Sequence, residues 1–306
     1  MTYRILRQLS AAVLVLTAAA CGPSDSPKES TKIGEAAETT AAPLPANAPK
    51  AIVSLSATAT ETLFAIGAGK QVIAVDDQSN FPAEAPKTDL SGYKPNVEAI
   101  AGKKPDLVII SGDSAKLTES LGKLGIAVLD QPAAKTIDEA YAEIIALGEK
   151  TGHADGAAKV VADMKQRIEF AVRQVPKAER SYYHELDDTF YSVTSKTFIG
   201  SVYSLFGLKN IADTADKDGS GYPQLSAEYI AKSNPDLIFL ADTKCCKQGP
   251  EAVAARPGWA DLAAVKTNAV LGLDDDIASR WGPRLADLVE LISRKLVALP
   301  VVAKAA

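Results

Sequence analysis

Residues 96–110 read NVEAIAGKKPDLVII, and residues 226–240 read SAEYIAKSNPDLIFL. At a shift of 130 with no gap, Glu98 falls on Glu228, Ile100 on Ile230 and Ala101 on Ala231. Pro105-Asp106-Leu107 falls on Pro235-Asp236-Leu237. Just upstream, Ser91-Gly92-Tyr93 corresponds to Ser220-Gly221-Tyr222 with one residue inserted. A solenoid is built from three or more shorter units, so one repeat of this length predicts two similar lobes.

Each lobe alternates short apolar runs with helical patterns. In the first, AIVSL (51–55) and QVIAV (71–75) read as strands around the helical ATETLFAIGAG (59–69), which Gly67 and Gly69 stop. VEAIAGK is a short helix, DLVII a strand, KLTESLGKLG a helix and IAVLD a strand. The second lobe runs through SYYHEL, TFIGSVYSLFGL, AEYIAKS, DLIFLA and VLGLD. Strands alternating with helices imply parallel sheets covered on both faces. Between the lobes, Ala154 to Gln174 is one long helical pattern, with Val160, Met164, Ile168 and Val172 recurring every four residues and Pro176 just beyond. The expected fold is therefore α/β: two Rossmann-like lobes with parallel sheets, joined by one long helix, with a ligand cleft between them. The expected boundaries are an N-terminal lobe over 49–150, a connecting helix over 151–176 and a C-terminal lobe over 177–306.

The first 20 residues carry Arg4 and Arg7, then an apolar run too short to span a bilayer, ending in small residues. That is the pattern of a secretory signal peptide. Cys21, directly after Ala18-Ala19-Ala20, makes the segment resemble a bacterial lipoprotein signal, in which the cysteine is lipidated. One departure is Ala18, where that pattern favours Leu. Residues 21–48 are rich in Pro, Ser, Thr, Ala and charge, and read as a flexible tether behind the anchor. The chain carries a net charge of −5, and loses two positive charges with the signal. An acidic exported protein is a poor partner for nucleic acid. The expected location is extracytoplasmic, on the outer face of the cytoplasmic membrane or in the periplasm, held by lipid alone.

SLSATATETLFAIGAGKQVIAV (54–75) resembles the opening motif of the helical-backbone (class III) binding proteins that feed ABC importers of vitamin B12, ferric siderophores and haem. NVEAIAGKKPDLVII resembles their second motif, and the similarity runs from residue 50 to about 300. The resemblance implies ligand held between the lobes and docking of a monomer onto a dimeric permease with its ATPase. It also implies that one glutamate on each lobe, here Glu98 and Glu228, pairs with permease arginines. Two like charges held apart on a rigid body suit a twofold partner.

In open parallel sheets, ligands sit beyond the carboxyl ends of the strands. That rule selects Ser56 to Thr58, Asp76-Asp77, Ser91 to Tyr93, Ser111 to Ser114 and Asp130-Gln131 in the first lobe. In the second it selects His184 to Asp188, Gly221-Tyr222, Asp242 to Cys246 and Asp274 to Trp281. From these, Tyr93, Tyr222, Trp281, Arg280, Asp77 and His184 are the candidate ligand contacts. The aromatics suit the flat face of a macrocycle or chelate. Aspartates greatly outnumber Lys244 and Arg280, so a neutral or cationic cargo is expected over a ferric catecholate. Corrinoids and ferric hydroxamates both qualify. Haem stays open, with His184 as a possible iron ligand and Tyr93 or Tyr222 opposite. A bare metal is not expected, because the other of the two histidines is His153, at the foot of the connecting helix. No G-x-S-x-G, H-E-x-x-H or paired Cys–His argues for an enzyme, and no cofactor is expected. A tethered sensor that feeds no permease is the alternative.

Cys245 and Cys246 stand side by side in LADTKCCKQGP (240–250). In an oxidising compartment they are expected to close a strained vicinal disulfide that stiffens a cleft-side loop, with a metal-binding dithiol as the alternative.

Overall fold

The computed structural model describes residues 44–113 and 116–299. The signal segment, Cys21, most of the tether and Ser114 lie outside the described residues. Strands β1 (Ile52–Ser54), β2 (Val72–Val75), β3 (Leu107–Ile110) and β4 (Ala127–Asp130) form a parallel sheet in the order β2-β1-β3-β4. Strands β5 (Ser181–Glu185), β6 (Lys209–Asn210), β7 (Leu237–Leu240) and β8 (Val270–Gly272) form a second, in the order β6-β5-β7-β8. The two lobes thus have one topology, and the repeat-matched β3 and β7 occupy the same place in each. The two-residue edge strand β6 has no signature in the sequence pattern.

The repeated residues turn out to be fold-makers. Asp106 Oδ2 accepts hydrogen bonds from the backbone N–H groups of Lys50 (2.8 Å) and Ala51 (3.0 Å), fixing the start of β1 beside β3. Asp236 Oδ2 does the same for β5, accepting from the N–H (2.7 Å) and hydroxyl (2.9 Å) of Ser181. Asn96 and Ser226 cap the helices Val97–Gly102 and Ala227–Ser233 through their side chains. Ile100 and Ile230 on those helices have no exposed surface, and each burial contributes roughly 1.5–3 kcal/mol. Both helices run out into a left-handed residue, Lys104 (φ 54°) and Asn234 (φ 44°), immediately before the proline.

The connecting helix spans Ala154–Gln174. Its buried face is Ala157, Val161, Met164, Ile168 and Ala171, which keeps only Met164 and Ile168 of the every-fourth-residue row read from the sequence. A strict spacing of four drifts around a helix of 3.6 residues per turn, so Val160 and Val172 fall on the half-buried flanks. A second long helix, Leu285–Ala298, lies along it and was not read from the sequence. Ser293 Oγ donates to the Ala171 carbonyl at 2.6 Å, and Arg167 Nε meets Glu290 at 2.8 Å. The connecting helix is therefore braced by this second helix.

Candidate ligand-binding cleft

Ser56 ends the first β-strand run and caps the helix Ala57–Ala65, its hydroxyl accepting from the Ala59 N–H at 3.3 Å. Residues Ser56 to Thr58 therefore stand at the carboxyl edge of the sheet. There they line an open cavity of ≈ 440 Å³. Asp76 and Gln78, after β2, and Ser111 and Gly112, after β3, continue the wall. The opposite side comes from the segment after β8, through Asp276, Ser279, Arg280 and Trp281. The cavity thus lies beyond the carboxyl ends of the strands.

Asp76 is set by a run of buried hydroxyls: Ser54 and Thr60 at 2.9 Å, Thr60 and Ser79 at 2.8 Å, and Ser79 donating to Asp76 Oδ1 at 2.5 Å. Burial pushes its carboxyl above the ordinary range, and the Ser79 hydrogen bond opposes that rise. Gly92 is required here, because a Cβ would lie 2.7 Å from the Leu55 carbonyl oxygen and 3.0 Å from Asp76 Oδ2. The close approach of the Ser-Gly-Tyr turn brings Tyr93, 84% exposed, to the cavity rim.

The structure corrects several single-residue expectations. Asp77 points away: it is exposed and absent from the cavity wall, where the alternation of β2 places Asp76 instead. Arg280 lines the cavity, but its guanidinium is consumed by its own protein. Nη1 donates to Glu61 (2.6 Å) and Asn80 Oδ1 (3.0 Å); Nη2 donates to the Gln78 carbonyl (3.0 Å) and Asp276 (3.1 Å). It builds the wall and offers no free charge to a ligand. His184 has no exposed surface; Nδ1 lies 2.8 Å from the Tyr203 hydroxyl, and burial lowers its pKa to about 3. It is a core residue and does not line the cavity. Trp281 lies on the wall with Nε1 donating to Glu143 at 2.8 Å and its ring edge-on to Phe198. Tyr222 is half exposed in the second lobe and does not line the described cavity.

Cys245 and Cys246 are free cysteines with Sγ atoms 2.6 Å apart, so the structure holds them as thiols in contact. Their loop is registered onto the cavity-lining segment. Asp275 accepts from the N–H groups of Thr243 (2.9 Å), Lys244 (3.0 Å) and Cys245 (3.1 Å). Lys244 Nζ binds Asp274 (2.9 Å) and Asp276 (2.6 Å). Beneath the loop, Arg256 forms a bidentate pair with the fully buried Glu185 (2.6 and 2.5 Å). Asp242 is buried beside them with no hydrogen bond to either carboxylate oxygen, and burial and the Glu185 charge push it up to about 7.

Glu98 and Glu228 are both exposed in the first turn of their helices. A carboxylate there is favoured by the helix dipole. Sequence reasoning missed Glu61 and Arg284, although a glutamate amid the hydroxyl and apolar residues of ATATETLFA and arginines four apart in RWGPR were visible signals.

Residues 52–277 match the model of a family described as periplasmic binding protein. The uncharacterized ABC transporter substrate-binding lipoprotein YvrC of Bacillus subtilis (strain 168) is 33% identical over 259 residues, covering 81% of this chain and 80% of that one. A cobalamin-binding protein of Halobacterium salinarum (strain ATCC 29341 / DSM 671 / R1) is 33% identical over 250 residues, covering 78% of this chain and 67% of the other. Among solved structures, the periplasmic vitamin B12 binding protein BtuF of Vibrio cholerae matches with a TM-score of 0.66 at 28% identity, over 81% of this chain and 96% of that one.

Proposed function

The chain belongs to the periplasmic binding protein family, and from that premise we propose that it is a lipid-anchored carrier whose cargo is a cobalamin-like corrinoid, delivered to an ABC permease. That it is an extracytoplasmic substrate-binding protein and not an enzyme follows from the family. The cargo and the anchor at Cys21 are our reading.

One observation carries the cargo. Arg280 is the cation lining the cavity among the described residues, and all its contacts are spent on Glu61, Asn80, Gln78 and Asp276. Nearby Lys244 is likewise spent on Asp274 and Asp276. Binding a strongly anionic ferric catecholate would require breaking buried pairs to free a charge. A corrinoid asks instead for flat apolar faces with hydrogen-bonding edges. Tyr93 and Trp281 supply the faces, and Ser56, Thr58, Asp76 and Gln78 the edges. The relatives that bind cobalamin or vitamin B12 point the same way. Haem fits less well, since His184 is sealed in the core and Arg280, the cation lining the cavity among the described residues, is already committed and leaves the haem carboxylates without a partner.

The test is a titration of the purified protein with cyanocobalamin, a neutral ferric hydroxamate and haem, followed by Trp fluorescence and visible absorption. Saturable, submicromolar binding of cyanocobalamin with the others much weaker supports the reading. Tight binding of the hydroxamate alone, or of haem alone, overturns it. Replacing Cys21 by Ala should move the protein from the membrane to the soluble fraction.

Glu98 and Glu228 are proposed as the docking pair for the permease. Each is exposed at the matched place in its lobe, which is the arrangement a twofold partner needs.

A further inference from the structure

The adjacent thiols sit where their state can be felt at the cavity. Three consecutive N–H groups, of Thr243, Lys244 and Cys245, converge on one carboxylate, Asp275. Asp275 is flanked by Asp274 and Asp276, both bound by Lys244, and Asp276 in turn holds Arg280 on the cavity wall. The loop is thus pinned to the wall through the backbone of the cysteine pair itself. The next residue, Lys247, is left-handed (φ 55°), so the chain turns sharply after the pair.

We propose that Cys245 and Cys246 are a modification site, closed by thiol–disulfide exchange into a vicinal disulfide once the protein is exported, and that closure resets the hydrogen bonds tying this loop to the cleft wall.

The oxidant is a protein or small-molecule disulfide of the extracytoplasmic space. One cysteine thiolate attacks a sulfur of that disulfide and releases one thiol. The second cysteine then attacks the mixed disulfide, forming the Cys245–Cys246 bond and releasing the other thiol. Two cysteine protons and two electrons leave the pair, and one disulfide is reduced to two thiols. Exported thiols meet such oxidants routinely. The ring closes through the Cys245–Cys246 peptide, whose Cα atoms are only about 3.8 Å apart, below the usual disulfide span. The peptide must therefore rotate to bring the sulfurs into bonding geometry. That rotation carries the Cys246 N–H, which now donates to the Asp242 carbonyl at 3.2 Å, and turns the chain at Cys245 beside the N–H held by Asp275. A metal-binding dithiol is the weaker alternative. The Cys245 thiol is pushed up to about 12 by its contact with Cys246, by burial and by Asp275 and Asp242, so a second thiolate is disfavoured. Among the described residues no group of three or more His, Cys, Asp and Glu is placed to hold a metal ion.

The full chain, exported by its host, is denatured in acid, alkylated before or after reduction, and mapped by mass spectrometry on the peptide bearing both cysteines. Denaturation removes the slow reactivity of the native thiols. The expected result is no label before reduction and a label on each cysteine after it. Two labelled cysteines before reduction overturn the proposal, as does a mixed disulfide to another molecule. Amide hydrogen exchange then compares oxidised, reduced and C245S/C246S protein. The amides of Thr243 to Cys246 should differ by about tenfold in exchange rate between oxidised and reduced forms, with the double variant matching the reduced form. Equal exchange in all three overturns the link to the wall. Neither readout needs a ligand, so the site stands or falls apart from the cargo.

Discussion

Glu61 and Arg280 meet at 2.6 Å with both side chains buried, one from the first lobe's opening helix and the other from the segment after the last strand. Arg284 binds the same carboxylate, its Nε donating to Oε2 at 2.8 Å, and stacks on Phe81. Asn80 and Gln78 complete the cluster around Arg280. One carboxylate thus fixes two guanidinium groups at the seam of the lobes. Glu61→Gln leaves both buried cations short of their partner, which costs about 3–5 kcal/mol. Thermal unfolding should show a Tm drop of roughly 10 °C. A drop within a degree or two would mean that the seam carries little stability.

Trp281 and Tyr93 are the flat surfaces of the cavity. Trp281→Ala and Tyr93→Ala should each weaken cyanocobalamin binding by about tenfold or more, while Trp281→Phe keeps most of it. Tyr222→Ala asks a separate question. A similar loss there would show that the second lobe also presses on the ligand. Isothermal titration distinguishes the three.

Glu98 and Glu228 stand exposed and do not line the cavity. Charge reversal of both to Lys should abolish ligand-dependent stimulation of the transporter's ATPase and leave the Kd for ligand within about twofold. Their helices lose at most about 1 kcal/mol of dipole interaction each. Intact transport in the double variant would remove them from the docking surface.

Asp242 makes stability pH-dependent with a definite sign. Its carboxyl ionises at an ordinary value of 3.8 in the unfolded chain and at about 7 in the folded one. Between those values the folded state keeps a proton the unfolded state has lost, so this group lowers stability as pH rises. Asp242→Asn should therefore gain about 1–3 kcal/mol over the parent above pH 7, and little near the lower end of the window. His184, lowered to about 3 by burial, acts in the opposite sense, since its contribution is lost as pH falls below 6.5. Denaturant melts of variant and parent at matched pH isolate the Asp242 effect. A difference that does not change with pH would show that Asp242 is ionised throughout.

Gly92 admits no side chain. Gly92→Ala places a carbon 2.7 Å from a backbone oxygen, and overpacking of this kind costs about 1–3 kcal/mol. It also displaces Tyr93, so ligand affinity should fall with stability. Chemical denaturation together with ligand titration checks both.

The architecture was legible because the repeat and the alternating runs obey local rules. Ile100, Ile230 and the strand runs are read by apolar pattern, and the strand-end rule pointed to segments that line a cavity. Side-chain roles within it were not legible to the same degree. Asp76 and Asp77 are neighbours of one type, and only the strand's phase decides which faces inward. His184 follows the same logic, since a histidine on the end of a strand reads as exposed until its neighbours Tyr182, Tyr203 and Phe239 are seen to close over it. Arg280 looked like a free cation because Glu61 lies more than two hundred residues away in sequence. Asp106 and Asp236 were recognised as repeated but not explained, since their hydrogen bonds reach across to a strand about 55 residues earlier.

The seam at Glu61 bears on how the protein works among its own copies. Lobes tied at their junction should hold Glu98 and Glu228, the docking pair proposed above, at nearly the same spacing whether or not cargo is bound. On that proposal an empty molecule should match the permease surface almost as well as a loaded one and compete for it. The rate of delivery should then depend on the proportion of loaded carriers, and a cell that makes more carrier without more cargo should slow its own uptake.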